Sequence, residues 1–213
     1  MTAATITWRG RAIPAVLPGV EFDEARHEYK VDGAKWPNVT GFLEDYYHGP
    51  QDSKGARWGD SAHKHVFHFM KRTIDLGRVK ETMRPTLDGW TRALAHFNIP
   101  EDAEMLAEYI VYSRKFRFIG RFDFLFALKE IDLLLDLKTG AHGEMESRRT
   151  GLQLGGYCQG IIEHGLSTLK RLRVAEVNIQ PDGNMTPHLF PNVIEIMQTF
   201  LAQVKVKNYF RKL

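Results

Sequence analysis

The residues best placed to do chemistry lie within 119–138, Ile-Gly-Arg-Phe-Asp-Phe-Leu-Phe-Ala-Leu-Lys-Glu-Ile-Asp-Leu-Leu-Leu-Asp-Leu-Lys. Two apolar runs, 122–128 and 131–137, flank the polar pair Lys129-Glu130. Runs of that length, dense in Phe, Leu and Ile, suit strands buried on both faces. A hairpin turning at Lys129-Glu130 sets Leu128 against Ile131, and the same register sets Asp123 opposite Asp136. Directly opposed residues sit roughly 4.5–5.5 Å apart. Lys138, two residues past Asp136, leaves the same face about 6.6 Å further along. Two carboxylates and an ammonium then converge at one end of an apolar hairpin. Facing carboxylates that are buried and unpaired cost several kcal/mol each. A hard divalent cation between them, Mg²⁺ or Mn²⁺, removes that cost. The alternative is an ordinary hairpin whose two Asp residues lie at solvated ends, neutralised by Lys138.

The elements that must position this hairpin follow from pattern. Residues 5–8 and 12–17 are short β-prone pieces broken by Pro14 and Pro18. The alternation from His27 to Val31 ends on Asp32-Gly33, a turn signal that predicts a hairpin leading to Trp36. A short helix is expected over 41–47, stopped by His48-Gly49-Pro50. A longer helix follows, capped by Asp52 or Ser53, or by Asp60 after Gly59, and running to Gly77. Its phase puts His63 with Val66, Phe67 and Met70, facing inward, and puts His65 with His68 and Arg72 on a polar face. An inward His is either a hydrogen-bonded core residue or a metal ligand.

Residues 80–98 carry a further helix with Leu87, Trp90, Leu94 and Phe97 on its apolar side, broken at Ile99-Pro100. Residues 103–113 lead into the hairpin. Glu108 there is either a third carboxylate at the metal or an ion-pair partner for Arg114 or Lys115. After a loop at 139–143, residues 150–165 form a helix on which Gln153 and Tyr157, four apart, share a face. Gly155, Gly156 and Gly160 would each weaken that helix by about 1 kcal/mol relative to Ala. Three of them imply close packing against the sheet or a backbone approach to ligand. A strand at 174–179, a turn at Asp182-Gly183 and an amphipathic helix over 190–210, with Ile194, Met197, Leu201 and Val204 inside, complete the chain.

The 213 residues read as one domain of 1–213, with no repeat, linker or low-complexity segment. Apolar residues make up 43% and charged residues 26%, which is globular composition. No apolar run approaches the roughly 18 residues of a membrane span, so no membrane partner is expected. The first residues have no continuous apolar core of the kind a secretory signal needs. A single cysteine, Cys158, excludes an intramolecular disulfide and a four-cysteine iron–sulfur cluster. That is compatible with a reducing cytoplasm, the host's if the gene is phage-borne. The net charge of +3 is small, so the placement of the cations matters more. Arg114-Lys115-Phe-Arg117 and Arg121 precede the hairpin turn, Arg148-Arg149 follow it, and Lys170-Arg171-Leu-Arg173 and Lys205-Val-Lys207 with Arg211-Lys212 form two more clusters. Basic clusters near a carboxylate site fit a polyanionic substrate.

The order His63, Gly120-Arg-Phe-Asp123, Asp136-Leu-Lys138-Thr-Gly140, Gln153-x-x-x-Tyr157 resembles the RecB-like branch of the PD-(D/E)XK nuclease superfamily. The stretch His27-x-Tyr29, Gly33, Pro37-Asn-Val-Thr40 is similar to the lead-in of phage members and of the mitochondrial genome maintenance exonuclease type. The resemblance covers about residues 27–165. It implies an α/β fold, a mixed central β-sheet of four or five strands flanked by helices, with a restriction-endonuclease-like core. It implies metal ligation of Mg²⁺ or Mn²⁺ by Asp123, Asp136, the Leu137 carbonyl and His63, and catalytic roles for Lys138, Gln153 and Tyr157. The cysteines of the iron–sulfur subtype are missing.

On this reading the chain is a metal-dependent DNA exonuclease acting on single strands or ends in replication, recombination or repair. Trp58 and Phe67 are expected to stack bases, and Arg114, Lys115, Arg148 and Arg149 to grip the phosphate backbone. A structure-specific flap or junction endonuclease and a non-catalytic nucleic-acid-binding module are the competing readings. The sequence leaves the oligomeric state open.

Overall fold

The computed structural model of the chain describes residues 4–24, 26, 28–44, 54–140 and 143–210. His27, residues 45–47 of the expected 41–47 helix with its His48-Gly49-Pro50 stop, the caps Asp52 and Ser53, and Arg211-Lys212 lie outside the described residues. In chain order the strands and helices are β1 (Thr5–Trp8), β2 (Arg11–Pro14), β3 (Val20–Asp23), β4 (Glu28–Val31), β5 (Ala34–Lys35), α1 (Lys54–Met70), α2 (Arg84–His96), β6 (Glu104–Ser113), β7 (Phe118–Ala127), β8 (Asp132–Thr139), α3 (Glu144–Glu163), β9 (Leu172–Ile179), β10 (Met185–Phe190) and α4 (Val193–Phe210).

The centre is a five-stranded sheet in the order β10-β9-β8-β7-β6. Strands β8 and β9 are parallel and every other neighbouring pair is antiparallel, so the sheet is mixed and the protein is α/β. The central hairpin turns at Lys129-Glu130, where the Leu128 N–H donates to the Ile131 carbonyl at 2.9 Å. Its ladder runs from Ala127 opposite Asp132 to Phe124 opposite Leu135. Asp123 and Asp136 each lie one residue beyond the last pair of that ladder. At the turn end, Asp132 is buried and bound by Arg9, by the Ser167 hydroxyl at 2.6 Å and by Arg171 at 3.4 Å. That anchors the end of the hairpin opposite to the one that carries Asp123 and Asp136.

Each face of the sheet buries its own apolar layer. On one, Val66 of α1 and Leu87, Trp90 and Ala93 of α2 cover Phe124, Phe126, Leu133, Leu135, Leu137 and Val177. On the other, Leu154, Cys158 and Ile161 of α3 and Phe200 and Val204 of α4 cover Leu125, Leu134 and Val174. The N-terminal hairpins extend this second layer with Trp8, Tyr29, Val31 and Trp36.

Several boundaries depart from expectation for identifiable reasons. Helix α1 begins at Lys54, passes through Gly59 and stops at Met70 instead of Gly77. Arg72 takes a left-handed conformation (φ 54°), and the Thr73 N–H closes on the His68 carbonyl at 2.9 Å. This is a Schellman stop with Arg in the usual glycine place. Helix α2 starts at Arg84, with Pro85 in its first turn. Residues 104–113 form a full strand, which the pattern hid because its alternation breaks at Glu108, where φ is +53°. Residues 185–190 form an edge strand, where Pro187 is tolerated, and Pro191 delays the last helix to Val193. The buried stripe of α4 is centred on Phe200 and Val204, with Ile196 beside it, so Ile194 is turned out and 48% exposed. Helix α3 begins six residues before the expected 150, at Glu144, and its glycines serve packing. A Cβ on Gly155 would lie 2.5 Å from the Ile196 carbonyl oxygen, and one on Gly160 would lie 2.8 Å from Val111.

Candidate active site

The site forms where the central strands stop pairing. The β6–β7 ladder is continuous on either side, with Ala107 opposite Phe124 and Tyr109 opposite Phe122, but omits the step that faces Glu108 with Asp123. The β7–β8 ladder ends at Phe124 and Leu135. Past that point the Leu137 N–H donates to Asp123 Oδ2 at 2.8 Å. A carboxylate has taken the place of a strand carbonyl, so the backbone itself fixes the orientation of Asp123.

Behind Asp123, Asp136 is 2% exposed, with the Lys138 ammonium 2.7 Å from its Oδ2. That oxygen makes no well-formed hydrogen bond in spite of the close charge. Burial pushes the Asp136 carboxyl above its ordinary range, Lys138 pulls it down, and the neighbouring Asp123 charge pushes it up again. For Lys138 burial disfavours the ammonium, but the charges of Asp136 and Asp123 outweigh it and hold the pKa above its usual value. Lys138 is therefore charged throughout the neutral range. Its Nζ donates to Gln153 Oε1 at 3.3 Å, and Gln153 Nε2 lies 2.9 Å from the Tyr157 hydroxyl. Burial raises the Tyr157 phenol well above its ordinary value, so it stays a neutral hydroxyl. The Tyr157 ring lies so close to β7 that a Cβ at Gly120 would come within 2.5 Å of it. Glycine at 120 is thus the condition for seating Tyr157.

Two further groups complete the front of the site. His63 Nδ1 lies 3.6 Å from Asp123 Oδ2. Glycine at 59, where a Cβ would come 2.7 Å from Thr139 Oγ1, lets α1 approach the end of β8 and bring His63 forward. Glu108 pairs with Arg121, Nε to Oε2 at 2.8 Å, rather than with Arg114 or Lys115. Burial first, then the charge of Asp123, pushes Glu108 to about 7. His63, Asp123, Gln153, Tyr157, Glu108 and Arg121 line one cleft of about 930 Å³. Helix α1 walls it with Asp60, His63, Lys64, Phe67 and His68, and residues 38–40 close the opposite side. His63 faces this cleft instead of the core, and exposed His68 joins it there. His65 is half-buried, its Nδ1 2.7 Å from the Ser61 carbonyl oxygen.

One feature of the site escaped the sequence reading. Glu176 of β9 faces Asp136 in register, is 2% exposed and accepts from the Ser147 hydroxyl of α3. Asp136 and Glu176 thus face each other across β8 and β9, with Asp123 and Glu108 at the neighbouring break in pairing. The visible signal was a lone acid inside the apolar strand Leu172–Ile179.

The expected phosphate and base contacts are scattered. Trp58 is half-buried against the α1–α2 layer. Arg114 pairs with Asp32 at 2.7 Å and lies over the Tyr112 ring. Arg148 pairs with Glu144 at 2.6 Å, one turn back on α3, and Arg149 is half-buried. Lys115 lines a different groove. None of these five lines the cleft that holds Asp123, whereas Phe67 does.

Among the described residues no three His, Cys, Asp or Glu side chains are already gathered as a metal-ligand set. The donors still fit a hard cation. Two ligands on one ion, each about 2.1 Å from it, lie roughly 3.0–4.2 Å apart, which brackets the His63–Asp123 separation of 3.6 Å. Asp136 behind them keeps a buried oxygen without a proper hydrogen bond.

No family model matches the chain, and no curated protein does. Among solved structures, the one described as the crystal structure of SSO0001 is 12% identical, covers 79% of this chain and 83% of that chain, and has a TM-score of 0.33. A likeness of that size bears on neither family nor function. No helix among the described residues is long and apolar enough to cross a membrane.

Proposed function

We propose that this protein is a divalent-metal-dependent nuclease of the RecB-like PD-(D/E)XK type that hydrolyses DNA from single-stranded ends. The observation that carries the reading is the Lys138 ammonium, kept charged beside buried Asp136 and held by Gln153, next to the Asp123–His63 pair. Asp123, Asp136, His63 and the Leu137 carbonyl would hold Mg²⁺ or Mn²⁺. When bound, such an ion polarises the scissile phosphate and lowers the pKa of an attacking water.

The chain's own residues supply the rest. Lys138, with its ammonium held by Asp136 and Gln153, presents a positive charge where negative charge develops on the phosphoryl oxygens. Tyr157 holds Gln153 in place through a hydroxyl that does not ionise. Lys64, on the cleft wall, is placed to neutralise a flanking phosphate. Phe67 offers an aromatic face to an unpaired base.

The test is product analysis. End-labelled linear and covalently closed circular DNA, single- and double-stranded, are incubated with Mg²⁺ or Mn²⁺ and resolved by length. Release of short products from linear single strands, abolished by excess chelator, is the expected result. No cleavage of any substrate with either metal overturns the assignment.

A further inference from the structure

A second groove, of about 690 Å³, is lined by Lys115, Phe116 and Arg117 from the β6–β7 turn and by Lys205, Asn208 and Tyr209 from α4. It joins two basic clusters that lie far apart in the sequence. The segment 37–40 separates it from the candidate active site, with Pro37 bordering this groove and Asn38, Val39 and Thr40 bordering the other. Along β7 the distance from the turn to Arg121 is only about 10 Å, at roughly 3.3 Å per residue.

Three features say what fits there. First, no carboxylate lines the groove, and Lys115, Arg117 and Lys205 carry no ion pair among the described residues. Second, the cations surround aromatic surface. The Lys115 and Lys205 ammoniums lie 5.3 and 6.0 Å from the centroid of Phe116, and the Arg117 guanidinium lies 5.9 Å from that of Trp36. Tyr209 is 65% exposed on the opposite wall, and Asn208 ties that wall to the turn through the Phe116 carbonyl at 3.3 Å. Third, Arg117 occupies a left-handed position, φ +56°, which glycine would adopt with less strain. From that position its guanidinium lies by the Trp36 ring.

We propose that this groove is a second nucleic-acid subsite, which holds a single-stranded nucleotide with its phosphate among Lys115, Arg117 and Lys205 and its base against Tyr209 and Phe116. The inference rests on the nuclease reading for the identity of the polyanion. Its role is to hold the strand beyond the cleaved end while the next phosphate enters the site.

The test separates the two readings by measuring binding in chelator, where no cleavage occurs. A labelled oligothymidylate of about a dozen nucleotides is titrated by fluorescence anisotropy at several salt concentrations. The triple variant Lys115→Ala, Arg117→Ala, Lys205→Ala should bind at least about 10-fold more weakly, with the salt slope reduced by about two units. Tyr209→Ala should weaken binding about 5-fold or more and leave the slope unchanged, because stacking releases no counterions. Lys129→Ala, at the exposed turn of the central hairpin, serves as a folded control, and matching melting temperatures verify the other variants. Wild-type affinity in the triple variant overturns the proposal, even if the protein cleaves DNA. So does an unaffected Tyr209→Ala variant combined with equal competition by heparin, which would make the groove a general polyanion site. Loss of binding in both variants of a protein that cleaves nothing would sustain this subsite and remove the nuclease reading.

Discussion

At the residue scale the site depends on one charge balance. Lys138 keeps its proton because Asp136 and Asp123 are close, and Asp136 tolerates burial because Lys138 is close. Lys138→Ala removes the partner of a buried carboxylate and, on the proposed reading, the charge that acts in catalysis. Turnover is expected to fall by roughly 10²–10³ with the far-ultraviolet circular dichroism unchanged. Undiminished cleavage by this variant would sink the role given to Lys138. The histidines separate by position: His63 is next to Asp123, while the Nδ1 atoms of His65 and His68 lie by the Ser61 carbonyl and the Thr73 hydroxyl. In calorimetric titration with Mn²⁺, His63→Ala should lose about 10-fold or more in affinity and His65→Ala almost nothing. Equal losses at both would place the ion elsewhere. Glu108 gives a pH signature in stability. Its folded pKa is raised from 4.5 to about 7, so between these values the folded state binds more protons than the unfolded one. Stability therefore falls as pH rises through that window. Glu108→Gln should flatten the dependence of melting temperature between pH 5 and 8, leaving the smaller slope due to Asp136. An unchanged slope would show that another group titrates there.

At the element scale the hairpin was legible and its surroundings less so. The turn at Lys129-Glu130 and the register from Ala127–Asp132 to Phe124–Leu135 followed from two apolar runs of matched length, because antiparallel pairing leaves little freedom once a turn is placed. The same logic could not find β6, since the left-handed residue at Glu108 interrupts its alternation at the point where the strand meets the site. Gln153 and Tyr157 were recoverable from helical spacing, and the structure links them by a hydrogen bond. Where the basic residues would go was not recoverable. A surface cation's neighbours are set by tertiary partners such as Asp32 for Arg114 and Glu144 for Arg148, and no periodicity encodes those. Glycines showed a general need for closeness without saying to what. Gly155 turns out to face the backbone of α4, where an added Cβ would be 2.5 Å from a carbonyl oxygen. A backbone cannot swing aside as a side chain can, so Gly155→Ala should cost about 1–3 kcal/mol in urea unfolding. A neutral or stabilising effect would mean that α3 and α4 are less closely apposed.

At the scale of the whole molecule the question raised by the proposed nuclease reading is how a strand would enter. A net charge of +3 is too small to steer DNA by the overall field, so affinity depends on where cations are left unneutralised. The site cleft is walled by α1 on one side and by residues 38–40 on the other, and its volume of about 930 Å³ is that of a small-ligand pocket. A volume of that order matches one or two unpaired nucleotides, for which no stacked pairs have to be opened. A single strand with a free end can enter without bending sharply on both sides of the scissile bond. A closed circle must bring two strands to the same walls. Linear single-stranded DNA is therefore expected to be degraded faster than blunt duplex, while a closed single-stranded circle survives over the same interval. The measurement is a time course on the three substrates at equal nucleotide concentration, with Mn²⁺ and low salt. If the circle is cut as fast as the linear strand, the walls do not impose an end requirement and the enzyme is an endonuclease. The roles of Asp123, Asp136 and Lys138 would be untouched by that outcome, because they concern the bond being broken and not the route by which it arrives.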